Sequence, residues 1–456
     1  MRRVVLIICL AASGCFYAPK VEDCAVACTD ACPMGLRCIE GLCRKSDQVT
    51  CECHTGTERT CGVTRGSCRA GNQVCVGGTW GPCAGEITPI AEVCDGFDND
   101  CDGLTDQFAP VVLFEGQTRT WQFLSLDAGY ALVTTRITDA GDDLTELRTL
   151  GPGFEPLVTT TARVGPRALN EAAALQSTVY VAWAYDGGLE LAAFTDGQRG
   201  PIDSLDDAGV GNRVRLAVNA QRLVAHWDRP GAPSTRLARW STGGQLTDVV
   251  DFGTLDAGYP LIDGFTAALT SEARFAVYTA TAPVDAGFAA SHLRILVDTS
   301  TLEIVRLEAP YYQYDLNDSN LLDLPSGALA SVYTYIEPGT TWSGIYLNPD
   351  MLTLTTADEL AVEENKTNST AWGSSDAVVD LQGRVSFVYM DNVGRRLVQA
   401  RSVGAGALSQ PPVKRQLGLT DGFGVPRLGA PGAAGFLPLA WNDQSRISAR
   451  RICPVR

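Results

Sequence analysis

Val179-Tyr180-Val181-Ala182-Trp183-Ala184-Tyr185 runs into Asp186-Gly187-Gly188 and then Leu189. An apolar run that closes on aromatics, a polar turn and a second, alternating run make a β-hairpin. The same pattern recurs as Tyr130-Ala-Leu-Val-Thr134 with Thr145-Glu-Leu-Arg148, and as Leu223-Val-Ala-His-Trp227-Asp228 with Arg236-Leu-Ala-Arg-Trp240. It returns at Phe275-Ala-Val-Tyr278 with Leu293–Val297, and at Leu329–Tyr333 with Ser343–Tyr346. Val385–Tyr389 with Leu397–Arg401 and Phe436–Trp441 with Ile447–Arg450 complete the series. Seven copies at roughly 43 to 58 residues match the period of a four-stranded propeller blade. Helical periodicity is scarce over the same region. The expected fold is therefore mainly β: a disulfide-rich N-terminal neck followed by a seven-bladed β-propeller over 107–456. A six- or eight-bladed ring, or two β-sandwiches, are the alternatives.

Upstream, composition changes. Of 16 cysteines, thirteen lie between Cys24 and Cys101, and one, Cys453, stands alone near the end of the sequence. Apart from Cys9 and Cys15, fourteen remain, which suits seven disulfides in an oxidising compartment. An odd thirteen upstream predicts one bridge tying Cys453 back to the N-terminal region. Residues 15–50 read as a small cysteine-rich knot. Its spacings lack paired C-x2-C, which argues against zinc. Residues 51–106 read as a disulfide-rich module, with Trp80 as its small core.

Met1-Arg2-Arg3, the apolar run Val4–Ala12 and Ala12-Ser13-Gly14-Cys15 have the order of an export signal. The cluster resembles the lipobox of bacterial lipoproteins. That resemblance implies a signal peptide over 1–14, acylation of Cys15 and a membrane anchor without a spanning helix. The expected location is the outer membrane, on its periplasmic side or at the cell surface, with secretion as the alternative. A net charge of −16 leaves no basic face for nucleic acid.

The sharpest motif is Glu92-Val-Cys94-Asp95-Gly-Phe-Asp98-Asn-Asp100-Cys101-Asp102-Gly103-Leu104-Thr-Asp106. Carboxylates at alternate positions of a tight loop converge on one point, and oxygen-only ligation suits a hard cation. Asp98, Asp100, Asp102 and Asp106, with the Leu104 carbonyl, are the expected ligands of a structural Ca²⁺. Cys94 and Cys101 flank the loop and are placed to clamp it. Residues 61–106 resemble the MopE-type metal-binding motif of secreted and surface proteins of myxobacteria and related bacteria. The family's name-giving protein binds copper through histidines and a modified tryptophan. No histidine lies near the motif here, so copper does not carry over.

Chemistry is otherwise sparse. His54, His226 and His292 are the only histidines, and neither a zinc-peptidase nor a nucleophile-elbow motif is present. No catalytic residue is assigned. Two classes follow: a lipid-anchored binding or scaffold protein for a protein or carbohydrate ligand, or a propeller hydrolase acting on extracellular carbohydrate or ester substrates. A central channel lined by carboxylates and arginines points to the enzyme, and a plain mouth with exposed aromatics to binding.

Overall fold

The strand that opens the quoted hairpin, Thr178–Tyr185, is covered on both faces, which is why its apolar residues run without a break. The computed structural model describes residues 23–455 except 34, 186–187, 201–204, 206–213, 229–234, 252–265, 271–272, 283–290, 312–319, 337–342, 354–359, 366–371, 392, 394–395, 403–411, 418–424, 433–434 and 444. Val179, Val181 and Trp183 join the apolar cluster on one side of their sheet, and Tyr180, Ala182 and Ala184 the cluster on the other. The chain divides into two compact units, Met1–Asp106 and Gln107–Arg456. Among the described residues there is no helix.

The second unit is a seven-bladed β-propeller. Its described strands form seven four-stranded antiparallel sheets, and every predicted hairpin supplies the second and third strands of one. The first strands are Thr120–Leu126, Leu169–Leu175, Val214–Val218, Thr266–Leu269, Asn320–Asp323, Trp372–Val379 and Pro426–Leu428. Each lies against the first strand of the next sheet, and Pro426–Leu428 lies against Thr120–Leu126, so the ring closes. Seven apolar clusters hold it, one at each interface between neighbouring blades.

Two devices shut the ring. Val111–Glu115 pairs with Arg446–Ile452 as the outermost strand of the last blade, so the beginning and end of the unit share one sheet. Gly429 follows the last inner strand, where a Cβ would come within 2.5 Å of Ser125 Oγ and 2.6 Å of Pro438 Cγ. Only glycine permits that approach. Between blades 1 and 2 the contact is polar and satisfied: Asn170 accepts from Thr120 Oγ1 at 2.6 Å and donates to Thr135 Oγ1 at 2.5 Å. Thr135 pairs with Thr145, which accepts from the Trp183 indole at 3.2 Å. Every member of this buried network finds a partner, which fixes how the two blades meet.

The first unit has two short sheets, Arg37–Ile39 with Leu42–Arg44, and Glu58–Cys61 with Gly71–Val76 and Thr79–Trp80. So little sheet buries little apolar surface, and covalent staples replace a core. The bridges are Cys24–Cys51, Cys28–Cys38, Cys32–Cys43, Cys53–Cys75, Cys61–Cys83 and Cys68–Cys101. The expected Cys94–Cys101 clamp is not formed, because Cys101 bonds Cys68 and ties the acidic loop to the preceding hairpin instead. Trp80 is half-buried and carries the Arg59 guanidinium 4.2 Å from its ring centre. It is a cation–π platform, not a sealed core.

Candidate functional site

The acidic loop is built from its backbone outward. Gly66, at φ +59°, sits under Asp98, where a Cβ would lie 2.4 Å from the carboxylate. The Ser67 amide donates to the Asp98 carbonyl at 2.8 Å, and the Cys68–Cys101 bridge holds the other end. These contacts gather Glu92, Asp98 and Asp100, whose carboxylate oxygens lie within 4.8 Å of one another. Glu92 Oε1 accepts the Asn99 and Asp100 amides at 2.5 and 2.9 Å, and Asp98 Oδ2 accepts the Gly103 amide at 3.0 Å. The remaining oxygens, Glu92 Oε2, Asp98 Oδ1 and Asn99 Oδ1, are buried and accept nothing among the described residues. Buried oxygens without donors are costly unless a cation satisfies them. The donor set, all oxygen and anionic, fits a hard divalent cation such as Ca²⁺.

Two of the five ligands expected from the sequence, Asp98 and Asp100, are in this cluster. Asp102 and Asp106 are not. Asp102 is exposed, and its carboxylate accepts the Leu104 amide at 2.7 Å. Leu104 is 49% exposed and Asp106 accepts the Gly96 amide at 3.0 Å. The alternating aspartates thus divide between facing inward and capping the turn. Glu92, which the spacing argument passed over, stands in the cluster with Asp98 and Asp100. Its sequence signal is an acid six residues before Asp98, outside the tight loop.

The propeller offers a second site. Its inner strands enclose a central channel of about 350 Å³. Gln122, Glu171, Arg215, Asn320, Asp376 and Arg427 supply the polar wall, and Thr270 the only hydroxyl. Burial within the ring pushes the Glu171 carboxyl above its ordinary value, opposed by Arg215 and Arg427 and reinforced by Asp376. Burial raises Asp376 too, opposed by Arg427 and by the Leu428 and Ala377 amides. Arg215 Nη1 stands 3.6 Å from Glu171 Oε2. No histidine, serine or cysteine is among the described residues that line the channel.

A larger recess of about 690 Å³ lies beside Phe114 and blade 1. Its arginines are already engaged. Arg119 pairs with Asp143, Arg136 with Glu146, and Arg148 donates to the Leu113 carbonyl and covers the Phe114 ring.

His226 is fully buried in its strand, opposite Arg215. Cys15 and the signal over 1–14 lie outside the described residues. No described helix is long and apolar enough to cross a membrane.

No protein-family model matches the chain, and no curated protein matches it. Solved structures are similar to it at low identity. The β-propeller domain of the Trilobed protease from Pyrococcus furiosus is 8% identical, with a TM-score of 0.45 over 75% of this chain and 99% of that one. A prolyl endopeptidase is 11% identical, with a TM-score of 0.44 over 76% and 51%. An oligogalacturonate lyase solved with manganese is 12% identical, with a TM-score of 0.41 over 75% and 98%. The likeness is one of fold.

Proposed function

We propose that this chain is a lipid-anchored, extracytoplasmic binding protein in which Cys15 carries the anchor, calcium braces the cysteine-rich unit through Glu92, Asp98 and Asp100, and the propeller channel receives a small polar ligand. The observation that carries the reading is a concave, protein-walled channel with a few convergent polar groups, the usual form of a small-molecule site. Six disulfides among the first unit's cysteines support an oxidising compartment, and the lipobox-like sequence supports the outer membrane.

The second reading, a hydrolase, is favoured by two carboxylates in one channel. Two-carboxylate hydrolysis needs both groups available to substrate. Asp376 is committed: Oδ2 accepts the Leu428 amide at 2.7 Å and Oδ1 the Ala377 amide at 3.0 Å. It staples the blade 6 strand to blade 7, leaving Glu171 as the one acid that accepts no hydrogen bond among the described residues. Binding is the better account.

The test is a small-molecule thermal-shift screen of the mature protein, repeated on Ala173→Phe, which fills the channel. Stabilising compounds should lose their effect in that variant. Stabilisation that survives the plug refutes a channel site, and turnover of a glycoside or ester that vanishes in Glu171→Gln would establish the hydrolase. Intact mass spectrometry tests the anchor: an unmodified Cys15, or cleavage elsewhere, refutes it.

A further inference from the structure

Strand register shows how the channel wall is composed. In every blade one inner-strand residue pairs with a corresponding second-strand residue, in turn Val133, Ala182, His226, Tyr278, Val332, Val388 and Ala440. The seven partners, in ring order, are Gln122, Glu171, Arg215, Ala267, Asn320, Asp376 and Arg427. The order is amide, carboxylate, arginine, then alanine, then amide, carboxylate, arginine again. Two identical chemical triplets therefore face one cavity, four blades out of step, with a small residue in the gap.

The six polar residues are not equally occupied by internal bonds, and Gln122 Nε2 donates to the Asn170 carbonyl at 3.3 Å. Asp376 is held by backbone amides, and Asn320 Nδ2 donates to the Ser375 carbonyl at 3.2 Å. Against this, Glu171 has only the loose 3.6 Å contact with Arg215. Arg427 makes no hydrogen bond or ion pair among the described residues, and Gln122 Oε1 is buried without a donor. Arg239, by contrast, is engaged by Asp248 and the Thr299 and Ser300 carbonyls. A partly buried guanidinium fork with no hydrogen bond among the described residues is suited to an oxyanion in bidentate contact. The acceptors facing it, Glu171 and Gln122 Oε1, call for donors on the same small molecule.

We infer that the channel binds a small carboxylate whose neighbouring carbons carry hydroxyl or ammonium donors. The carboxylate lies on Arg427, with Arg215 alongside, and the donors lie on Glu171 and Gln122. This rests on the channel-binding reading and adds the ligand class to it.

The experiment is ligand-observed NMR and calorimetry on the full mature protein with matched probes: glucuronate against glucose, and alanine against alaninamide. One carboxylate of a pair should bind at least tenfold more tightly than its neutral or cationic partner, about 1.4 kcal/mol. The pair that responds tells hydroxyl from ammonium donors. Arg427→Gln should abolish the preference, and Arg427→Lys should recover less than a tenth of the affinity, because a point charge lacks the fork. Arg427→Lys should melt near the wild type, since it keeps a positive charge beside Glu171 and Asp376. Glucose or alaninamide binding as well as the acids, unaffected by Arg427→Gln but lost in Ala173→Phe, overturns the ligand class and leaves the channel reading intact. No binding by any probe overturns this inference, while a hit from the wider screen lost in Ala173→Phe would still sustain the channel. Binding that survives the plug overturns both.

Discussion

Glu92→Gln should change the stability of the acidic loop with a sign that depends on calcium. Glu92, Asp98 and Asp100 bring their oxygens within 4.8 Å. At an effective dielectric of about 20, two unit charges at that distance repel by about 3.5 kcal/mol. Neutralising Glu92 removes two of the three repulsions. Gln keeps a carbonyl to accept the Asn99 and Asp100 amides, each bond weakened by about 1 kcal/mol on losing its charge. Solvent at the half-buried Asp100 reduces the repulsion further, so the expected net gain in EDTA is about 1 to 3 kcal/mol. A calcium concentration a hundredfold above Kd stabilises the native protein by about 2.7 kcal/mol, and the variant forgoes most of it. Hydrogen exchange of a peptide spanning residues 92–104, measured in the intact protein, reads both terms. Wild type should be strongly protected in calcium and weakly in EDTA, and Glu92→Gln should be nearly indifferent. Asp106→Asn should respond like wild type, because that carboxylate caps the Gly96 amide and lies outside the cluster. Equal wild-type protection in calcium and EDTA, or a full calcium response in Glu92→Gln, would refute the site.

Phe387→Ala should cost about 3 to 5 kcal/mol, because the ring is fully buried between blades 5 and 6. With unfolding entropy near 2.1 cal/mol/K per residue over the second unit, melting should fall by about 5 °C. Leu157→Ala, at 61% exposure, should leave calorimetry unchanged within about 0.5 kcal/mol. Because the folded pKa of Glu171 lies above its ordinary 4.5, the native state holds more protons than the unfolded one just above that pH. Stability should therefore fall as pH rises from about 4.5 through the raised value. Denaturation curves for Glu171→Gln should show a shallower decline, with the remainder owed to Asp376, and an unchanged slope would contradict the burial argument. Six bridges use twelve of the thirteen cysteines from Cys24 to Cys101 and leave Cys94 over. Non-reducing peptide mapping should recover Cys94 linked to Cys453, and a free thiol at either would defeat that pairing.

The propeller was legible in the sequence because its strongest signal is local. The second and third strands of each blade are hydrogen-bonded hairpin partners, and burial on both faces makes the second strand a continuous apolar run. Val179–Tyr185 therefore announces itself, as do its six counterparts, and their number sets the blade count. The inner strands send no such signal. Pro426–Leu428 spans three residues and Asn320–Asp323 four, too short for any periodicity. Arg427 and Glu171 look like ordinary charges until ring closure sets them in one channel. The closing strand was equally hidden, since Val111–Glu115 finds its partner only at Arg446–Ile452, at the far end of the unit.

The acidic loop divides the same way. Sequence alone determined that this segment concentrates carboxylates around a glycine turn, because composition and spacing are properties of the chain. Tertiary structure decided which carboxylates converge. Gly66 and the Cys68–Cys101 bridge press a separate hairpin against Asp98, turning Glu92 inward and leaving Asp102 and Asp106 to cap backbone amides. A short-range pattern can show that donors are present. Their direction depends on contacts from distant parts of the chain, and only the folded molecule supplies those.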